Sequence, residues 1–258
     1  SYGYTDGLLS SITLGSGAEA ATWLIQSASQ VGLGTAALGN VWSTTTDPNG
    51  LVTGQLFNGD GNLVRQSNPD GGIESYEYDV VGRLVSYTDA LGRITTYARD
   101  LLGYVTEVTY PDTTTETFVY QTDFHALTDA TDERGSVTHY TYDEDGHVTS
   151  ITDAYGTADA VTTHYVWVDG LLFQVRDDGD NLLHEYEYDA SNRMISDLDG
   201  EANEQTWTYD ANGNIATWTD GRDVTTTYVN DAKGRVLSVT VATVTQRFEY
   251  DDAGNPTR

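Results

Sequence analysis

The sequence predicts an all-β protein of tandem β-hairpins, in which one continuous antiparallel strip runs through the 258 residues. Three observations lead to this prediction. A motif of two aromatic residues, an Asp and a Gly recurs at a period of 21 residues along most of the chain. A second Asp–Gly motif lies between successive copies. The stretches between these motifs are rich in β-branched and aromatic residues, which strands favour.

The repeat is clearest around Asp79. Tyr76 and Tyr78 are two residues apart and therefore share one face of a strand, whereas Glu77 points to the other face. The short side chain of Asp79 can accept backbone N–H bonds and open a turn. Gly82 can adopt a positive φ at little cost, so the chain reverses and enters the next strand. The unit therefore predicts a strand, a tight turn and a second strand.

From residue 56 onward the repeat keeps its register, and most intervals between successive Asp positions are 21 residues. Some copies have lost individual residues of the motif; the Asp position of one copy, for example, is taken by Gln121. The residues that we assign to the repeat are Tyr76, Tyr78, Asp79, Gly82, Tyr97, Asp100, Gly103, Tyr140, Tyr142, Asp143, Gly146, Tyr186, Tyr188, Asp189, Trp207, Tyr209, Asp210, Gly213, Asp231, Gly234, Tyr250, Asp251 and Gly254.

The second motif adds another turn to each unit. It begins at Asp47, Asp89, Asp132, Asp153 and Asp197, each followed three residues later by Gly. One 21-residue unit thus holds two turns and two strands, for example residues 83–88 and 93–99. Short connections make consecutive strands antiparallel, and we predict roughly two dozen strands and no helix.

The aromatic face of such a strip needs cover. Strongly twisted open sheets rarely exceed about ten strands before they curl or split. We therefore expect the strip to coil into a spiral or a barrel-like tube that hides the tyrosines. The opposite face carries Glu77, Thr141 and Glu187, which suit water, although Val166 and Val229 interrupt that pattern.

We predict a single repeat array over residues 1–258, with degenerate, low-charge repeats in 1–55 and regular repeats in 56–258. Residues 7–46 contain one charged residue, Glu19. This stretch fits an apolar patch for a partner, but a degenerate repeat covered by its own chain is the favoured interpretation. The chain starts and stops within repeat units, so we expect a segment of a longer chain, or copies that stack head to tail through unpaired strand edges.

Composition excludes several classes of function. The chain has no Cys, which rules out disulfides and thiolate metal sites. The formal net charge of −28 disfavours nucleic acid as a partner. No apolar run has the length of a membrane-spanning helix, and we expect no membrane insertion. The acidity also fits a high-salt environment, but Asp residues at turns explain much of it.

No catalytic constellation is visible, so we predict a protein that is not an enzyme and needs no cofactor. The five histidines are scattered and lack metal-motif spacing: His125, His139, His147, His164 and His184. Calcium is the best-motivated ligand, because three stretches place oxygen donors close together: 143–146, 177–181 and 197–201. None of them has the closing Glu of a calcium loop, and turn chemistry explains their acidity better.

The motif resembles the YD repeat, also called the RHS repeat, whose signature is aromatic-x-Tyr-Asp-x-x-Gly-Arg followed by an aliphatic residue. Residues 76–84 match every position of it. The resemblance implies a hairpin strip that coils into a spiral, as in the hollow shells of insecticidal toxin complexes, RHS toxins and teneurins. The present chain is far shorter than those shells. Their Asp-Pro-x-Gly-rich self-cleaving segment has only a distant echo at residues 47–50, so no catalytic residue is carried over.

The resemblance favours a non-enzymatic extracellular structural protein that builds a filament or part of a hollow shell. Two alternatives stay open. One is a module of a surface adhesin that binds glycan or protein, since tyrosine and tryptophan columns can stack on sugars. The other is the encapsulating segment of a secreted RHS-type toxin. The expected partner is the protein itself or further repeats of a longer array, and the expected location is secreted or at the cell surface.

Overall fold

The computed structural model describes residues 1–5, 8–15, 20–26, 41–251 and 253–257, and in these ranges it has 23 strands and no helix. No described helix has the length and hydropathy of a membrane span. The strands are β1 Tyr2–Thr5, β2 Leu8–Leu14, β3 Ala21–Gln26, β4 Val41–Thr46, β5 Val52–Phe57, β6 Leu63–Ser67, β7 Ile73–Tyr78, β8 Leu84–Thr88, β9 Ile94–Arg99, β10 Val105–Thr109, β11 Thr115–Tyr120, β12 Leu127–Thr131, β13 Val137–Tyr142, β14 Val148–Asp153, β15 Val161–Val168, β16 Leu171–Arg176, β17 Leu182–Tyr188, β18 Met194–Asp199, β19 Glu204–Tyr209, β20 Ile215–Thr219, β21 Thr225–Asn230, β22 Val236–Val241 and β23 Val244–Arg247.

The strands form hairpin after hairpin in two compact units. The first unit comprises residues 1–119 and 131–135, and the second comprises 120–130 and 136–258. In the first unit every strand from β1 to β10 pairs antiparallel with the next strand. In the second unit every strand from β13 to β22 does the same. The prediction of an all-β strip of tandem hairpins is confirmed.

Two kinds of hairpin alternate. In the hairpin at the aromatic–Asp motif, Glu77 lies opposite Ser86 but Tyr78 lies opposite Leu84, so the register shifts between Glu77 and Tyr78. The same shift recurs at the corresponding place of six other hairpins, before Phe57, Tyr142, Trp167, Tyr188, Tyr209 and Asn230. Such bulges interrupt the ladder of backbone hydrogen bonds and increase the local twist.

The predicted alternation of faces is present, but the aromatic face is less hidden than expected. Tyr76 and Tyr78 are half-buried and Glu77 is exposed. Val108 and Val175 are the buried apolar residues among those described. Among the described residues of each unit, the strands with closely spaced backbones are neighbours along the chain. The coiling of the strip into a spiral or a barrel-like tube stays a prediction.

The degenerate start of the chain departs further from the prediction. β1 and β2 form a hairpin, as a shortened copy of the repeat should. Tyr2 and Tyr4, however, are 68% and 66% exposed, so this aromatic pair is not covered. The turn at Asp6–Gly7 and the apolar stretch 31–39 lie outside the described residues.

Two of the predicted second turns are placed wrongly. Asp197 lies inside β18, and the turn begins two residues later at Asp199, whose Oδ1 accepts the N–H groups of Glu201 (2.9 Å) and Asn203 (2.8 Å). Asp153 ends β14, and its carboxylate accepts the Thr138 hydroxyl instead of closing a turn. The Gly that follows three residues after each Asp is typical of a turn. Pairing with the preceding strand instead extends β14 and β18 past the predicted turn starts.

Candidate functional site

The repeated turn is closed by one carboxylate. In the turn at Asp79, Oδ1 accepts the backbone N–H groups of Val81 (3.0 Å) and Arg83 (2.9 Å). Oδ2 accepts Nε of Arg83 at 2.7 Å, and the Gly82 N–H donates to the Asp79 carbonyl at 3.0 Å. Gly82 has a φ of 86°, in the left-handed region that only Gly adopts readily. The side chain predicted to open the turn therefore also pairs with the residue that leaves it.

Other turns keep this geometry, with Arg or Asn as the partner four residues after the aspartate. Asp189 and Asp231 bind Arg193 and Arg235, and Asp210 binds Asn214 at 3.1 Å through Oδ2. An amide acceptor also suffices, because Oδ1 of Asn58 accepts the N–H groups of Asp60 and Asn62. The common requirement is an acceptor at the first position; a side-chain donor at the fifth residue adds a second bond in some turns, whereas Leu51 and Val224 donate only their backbone N–H groups to Asp47 and Asp220.

These bonds favour the charged carboxylates. The backbone N–H of Arg83 and then its side chain hold the pKa of Asp79 below the ordinary value. For Asp189 the largest cause of the lowered pKa is the hydrogen bond from the Arg193 side chain. Asp210 has a lowered pKa mainly because the Asn214 amide donates to it. The hydrogen bonds of these three turns thus favour the ionised form of the aspartate.

This geometry sets an expectation for Asp231. Its Oδ1 accepts the N–H groups of Lys233 and Arg235, and its Oδ2 accepts Nε of Arg235. Asp231→Ala removes all three acceptor contacts, whereas Asp231→Asn keeps an amide oxygen in the place that Asn58 fills in its own turn. We expect the alanine variant to melt at a clearly lower temperature than the asparagine variant, measured by circular dichroism. Equal melting temperatures would mean that the carboxylate does not close the turn.

The residue just before the turn, here called the anchor residue, binds the preceding hairpin. The Tyr78 hydroxyl donates to the Leu63 carbonyl at 2.8 Å and the Tyr209 hydroxyl donates to the Met194 carbonyl at 2.6 Å. Three further anchors do the same: Tyr142 to Leu127, Tyr188 to Leu172 and Tyr250 to Val236. The second tyrosine of the motif is therefore a hydrogen-bond donor as well as part of the aromatic face.

The anchor position accepts chemically different donors. Trp167 Nε1 donates to the Val148 carbonyl at 2.8 Å, and Asn230 Nδ2 donates to the Ile215 carbonyl at 2.9 Å. Arg99 donates through Nη2 to the Leu84 carbonyl at 3.1 Å. These three side chains differ in shape, but each donates a hydrogen bond to a backbone carbonyl of the preceding hairpin. The position therefore requires a hydrogen-bond donor. Sequence reasoning assigned Tyr97 to this copy and missed Arg99.

The carbonyl that accepts the bond from an anchor belongs to the residue at the β-bulge of the preceding hairpin. This holds for every preceding hairpin whose strand register is defined. Ile215 lies opposite the anchor Tyr209, and its carbonyl accepts the next anchor, Asn230. Asn230 in turn lies opposite Val236, whose carbonyl accepts Tyr250. Each anchor thus donates to a backbone carbonyl at a bulge, where the ladder of backbone hydrogen bonds is interrupted. The residue with that carbonyl lies opposite the previous anchor.

Arginine side chains strengthen the same link. The guanidinium of Arg193, held by Asp189, lies 4.3 Å from the centre of the Tyr209 ring. Arg235, held by Asp231, lies 4.8 Å from the centre of the Tyr250 ring. Contacts of this kind are favourable because a cation is attracted to the face of an aromatic ring. The Arg of the motif therefore joins its own turn to the anchor of the next unit.

Tyr209→Phe tests the anchor bond. The change keeps the ring below Arg193 and removes the hydroxyl that donates to Met194. We expect a loss of about 1 kcal/mol in the free energy of unfolding, because one carbonyl loses its partner. Tyr186→Phe is the matched control, since Tyr186 lies on the same face and no bond of its hydroxyl is recorded in the described part of the chain. An equal loss in both variants, measured by urea unfolding, would remove the special role of the anchor.

A family model described as RHS Repeat matches residues 57–93, 78–115 and 123–158. Residues 57–115 and 123–158 thus match the RHS repeat. The matched ranges include the turns at Asp79, Asp100 and Asp143, and the resemblance to this family that the sequence suggests is confirmed. No curated protein matches the sequence.

Solved structures show that the RHS hairpin strip has a known fold. The crystal structure of TcdB2-TccC3-TEV is similar with a TM-score of 0.62 and 19% identity, over 84% of this chain. The crystal structure of TcdB2-TccC3 gives the same values. In both cases the chain spans 14% of the length of the chain it matches. At this identity the likeness concerns the fold alone.

Three histidines of the RHS strip pair with aspartates, which the sequence did not suggest. Nδ1 of His139 lies 2.8 Å from Oδ1 of Asp129, and Nδ1 of His184 lies 2.8 Å from Oδ1 of Asp197. His147 takes the place of the turn arginine, 3.0 Å from Oδ2 of Asp143. The first two pairs join neighbouring strands. Predicting them from sequence would require the register in which the two strands pair. The third is a variant of the turn pair.

Of the three stretches considered for calcium, only the first brings three ligand-type side chains together in the described ranges: Asp143, Asp145 and His147, within 4.8 Å of one another. The imidazole is a nitrogen donor, which suits calcium poorly. Asp143 also already accepts bonds from the backbone of Asp145 and from His147. Calcium binding there stays a prediction.

A shallow concavity of about 450 Å³ lies along β17–β19 and is lined by Arg193, Glu204 and Trp207 among others. Two of its charged groups are engaged within the strip. Arg193 is paired with Asp189, and Oε1 of Glu204 accepts the Ser196 hydroxyl at 2.7 Å. These groups hold strands and turns together.

Proposed function

We propose that this chain is a non-enzymatic, extracellular structural protein that forms a stretch of the wall of a hollow RHS shell. The observation that supports this most is the run of consecutive hairpins in each unit, one face of which is aromatic yet only half-buried. Such a face gains stability when further material covers it. A wall that surrounds a space, or that holds other protein inside, supplies this cover.

The pattern of polar contacts also supports a structural role. The aspartates of the turns are bound to backbone N–H groups and to the donor that leaves the turn, as in Asp79 with Arg83. The histidines with known partners bind aspartates, as in His184 with Asp197. Groups tied to the strip in this way position strands, and they are repeated along the chain, whereas an active site gathers different groups at one place.

The shared fold favours a shell over a filament. The match to the TcdB2-TccC3 structures covers 84% of this chain and 14% of the other chain, so a similar strip forms a minor part of a much larger protein there. The extracellular location is proposed by analogy with those complexes. A net charge of −28 keeps such a surface soluble and repels nucleic acid.

Two measurements test the proposal: the sequence of the gene that encodes this stretch, and electron cryo-microscopy of the encoded protein. We expect the coding sequence to continue into further RHS repeats on at least one side of this stretch. Electron cryo-microscopy of the encoded protein should then show these hairpins in a curved wall around a cavity. A coding sequence that contains no further repeats, with a product that is monomeric and has no cavity, would overturn the proposal.

A further inference from the structure

Two neighbouring turns of the first unit present aliphatic side chains to water. Val80 and Val81 form the tip of the turn between β7 and β8, and Leu101 and Leu102 form the tip between β9 and β10. Their exposed fractions are 103%, 67%, 102% and 63%. Side chains this exposed contribute almost nothing to folding by burial. The four side chains are here called the aliphatic edge.

The two tips lie side by side on one edge of the strip. β7, β8, β9 and β10 are consecutive antiparallel neighbours, so alternate turns fall on the same edge, about 10 Å apart at two strand spacings. The guanidinium of Arg83, from the first turn, occupies the space that a side chain at Gly103 of the second turn would need. Arg99 Nη1 also donates to the Gly103 carbonyl at 3.0 Å. The tips are therefore held as one rigid patch.

The patch is unusual for this chain. The corresponding tip residues of other RHS turns are polar, charged or small: Gly59 and Asp60, Glu144 and Asp145, Ala190 and Ser191, Ala211 and Asn212, and Ala232 and Lys233. A contiguous group of exposed aliphatic side chains on a strongly acidic protein marks a contact surface more often than an accident of sequence.

Charge indicates which surface it contacts. Residues 78–104 contain three aspartates and three arginines, so this segment is neutral in a chain of net charge −28. Arg83 is paired with Asp79, and Arg99 donates to backbone carbonyls, so neither guanidinium is left to select an acidic partner. A neutral, apolar edge matches another neutral, apolar edge, and its zero net charge adds no repulsion where two copies approach.

We propose that the aliphatic edge binds the aliphatic edge of a second copy of this chain. The inference rests on the proposed wall, in which runs of RHS repeats lie edge to edge. Four side chains per copy provide less than the roughly 800 Å² per partner of a standard interface, so the contact is weak in isolation. Repetition along a wall strengthens it, since linked contacts act at high effective concentration. High salt also strengthens it by screening the negative charge of the two copies.

Sedimentation velocity of the purified protein at high concentration tests the proposal, with salt raised from low ionic strength to about 1 M, where the Debye length is about 3 Å. We expect the weight-average mass to rise toward twice the monomer mass as salt increases. The double variant Val80→Asp with Leu101→Asp should stay monomeric while its circular dichroism remains unchanged. Leu91→Asp is the matched control, because Leu91 is 79% exposed at a turn on the opposite edge, and it should associate like the unaltered chain.

Each other outcome overturns the proposal. The unaltered protein staying monomeric at all salt concentrations would do so, as would association that survives in the double variant or is lost in Leu91→Asp. Flotation with phosphatidylcholine vesicles that the double variant abolishes, without self-association, would assign the edge to a lipid surface instead. Because none of these measurements depends on the gene context or on an imaged cavity, failure here is distinct from failure of the proposed shell.

Discussion

Gly200→Ala is expected to destabilise the second unit by about 1–3 kcal/mol, the range for overpacking a well-packed site. A Cβ at this position would collide with the carbonyl oxygen of Leu182, which is a backbone atom and has no rotamer to escape into. The Gly200 N–H donates to the Leu183 carbonyl at 2.9 Å, so the turn cannot easily move away. The measurement is the midpoint of urea unfolding followed by far-ultraviolet circular dichroism.

Gly59→Ala is the matched control for this change. Neither glycine has a φ in the left-handed region, so alanine meets no backbone strain at either position. A Cβ at Gly59 has nothing within 4 Å, in contrast to Gly200. We expect the control to be neutral or slightly stabilising, because alanine reduces the freedom of the unfolded chain. Similar losses in the two variants would show that the close approach at Gly200 is not what requires glycine.

Acid is expected to unfold the protein steeply once the pH falls below about 4. Many of the turn aspartates have pKa values below the ordinary 3.8, as for Asp79, where the backbone N–H of Arg83 is the largest cause. A folded pKa below the unfolded one contributes stability that is fully present above pH 3.8 and is lost as the pH falls through the folded pKa. The aspartates with this shift are Asp79, Asp89, Asp112, Asp143, Asp177, Asp189, Asp199, Asp210, Asp220, Asp231 and Asp251.

Self-repulsion acts in the opposite direction at higher pH. A net charge of −28 destabilises the folded strip near pH 7, and this effect weakens as carboxylates begin to take up protons. We therefore expect the melting temperature to rise slightly from pH 7 to about 5 and then to fall sharply. In about 1 M salt the initial rise should shrink because charges are screened, while the acid loss persists. A melting temperature that stays level or rises below pH 3.8 would contradict the role given to the turn carboxylates.

The sequence was sufficient for the parts of the fold that depend on local chemistry. Asp79 and Gly82 identify their turn because a short acceptor and a residue tolerant of positive φ are needed within four positions. The alternation of Tyr76, Glu77 and Tyr78 follows from the period of a strand. These requirements are met within one hairpin, so a single copy of the motif contains the information.

The parts that sequence reasoning missed depend on strand pairing between hairpins. Arg99, Trp167 and Asn230 do not resemble tyrosine, and their shared role appears only when each reaches a carbonyl of the preceding hairpin. The turn at Asp199 was placed two residues early because pairing with β17 decides where β18 ends. The degree of burial was overestimated because the cover of an aromatic face depends on contacts beyond its own hairpin, which a local motif does not encode.

Amide hydrogen exchange read by mass spectrometry tests the tandem-hairpin organisation most directly. We expect slow exchange in the strands from β14 to β22, interrupted by fast exchange at every turn, because each of these strands is bonded to both neighbours. Exposed β23 at the margin of the described sheet should exchange faster than β22. Long protected stretches without interruption across the turns at Asp189, Asp210 and Asp231, or no protection between residues 137 and 241, would contradict a strip held together by repeated turns and anchors.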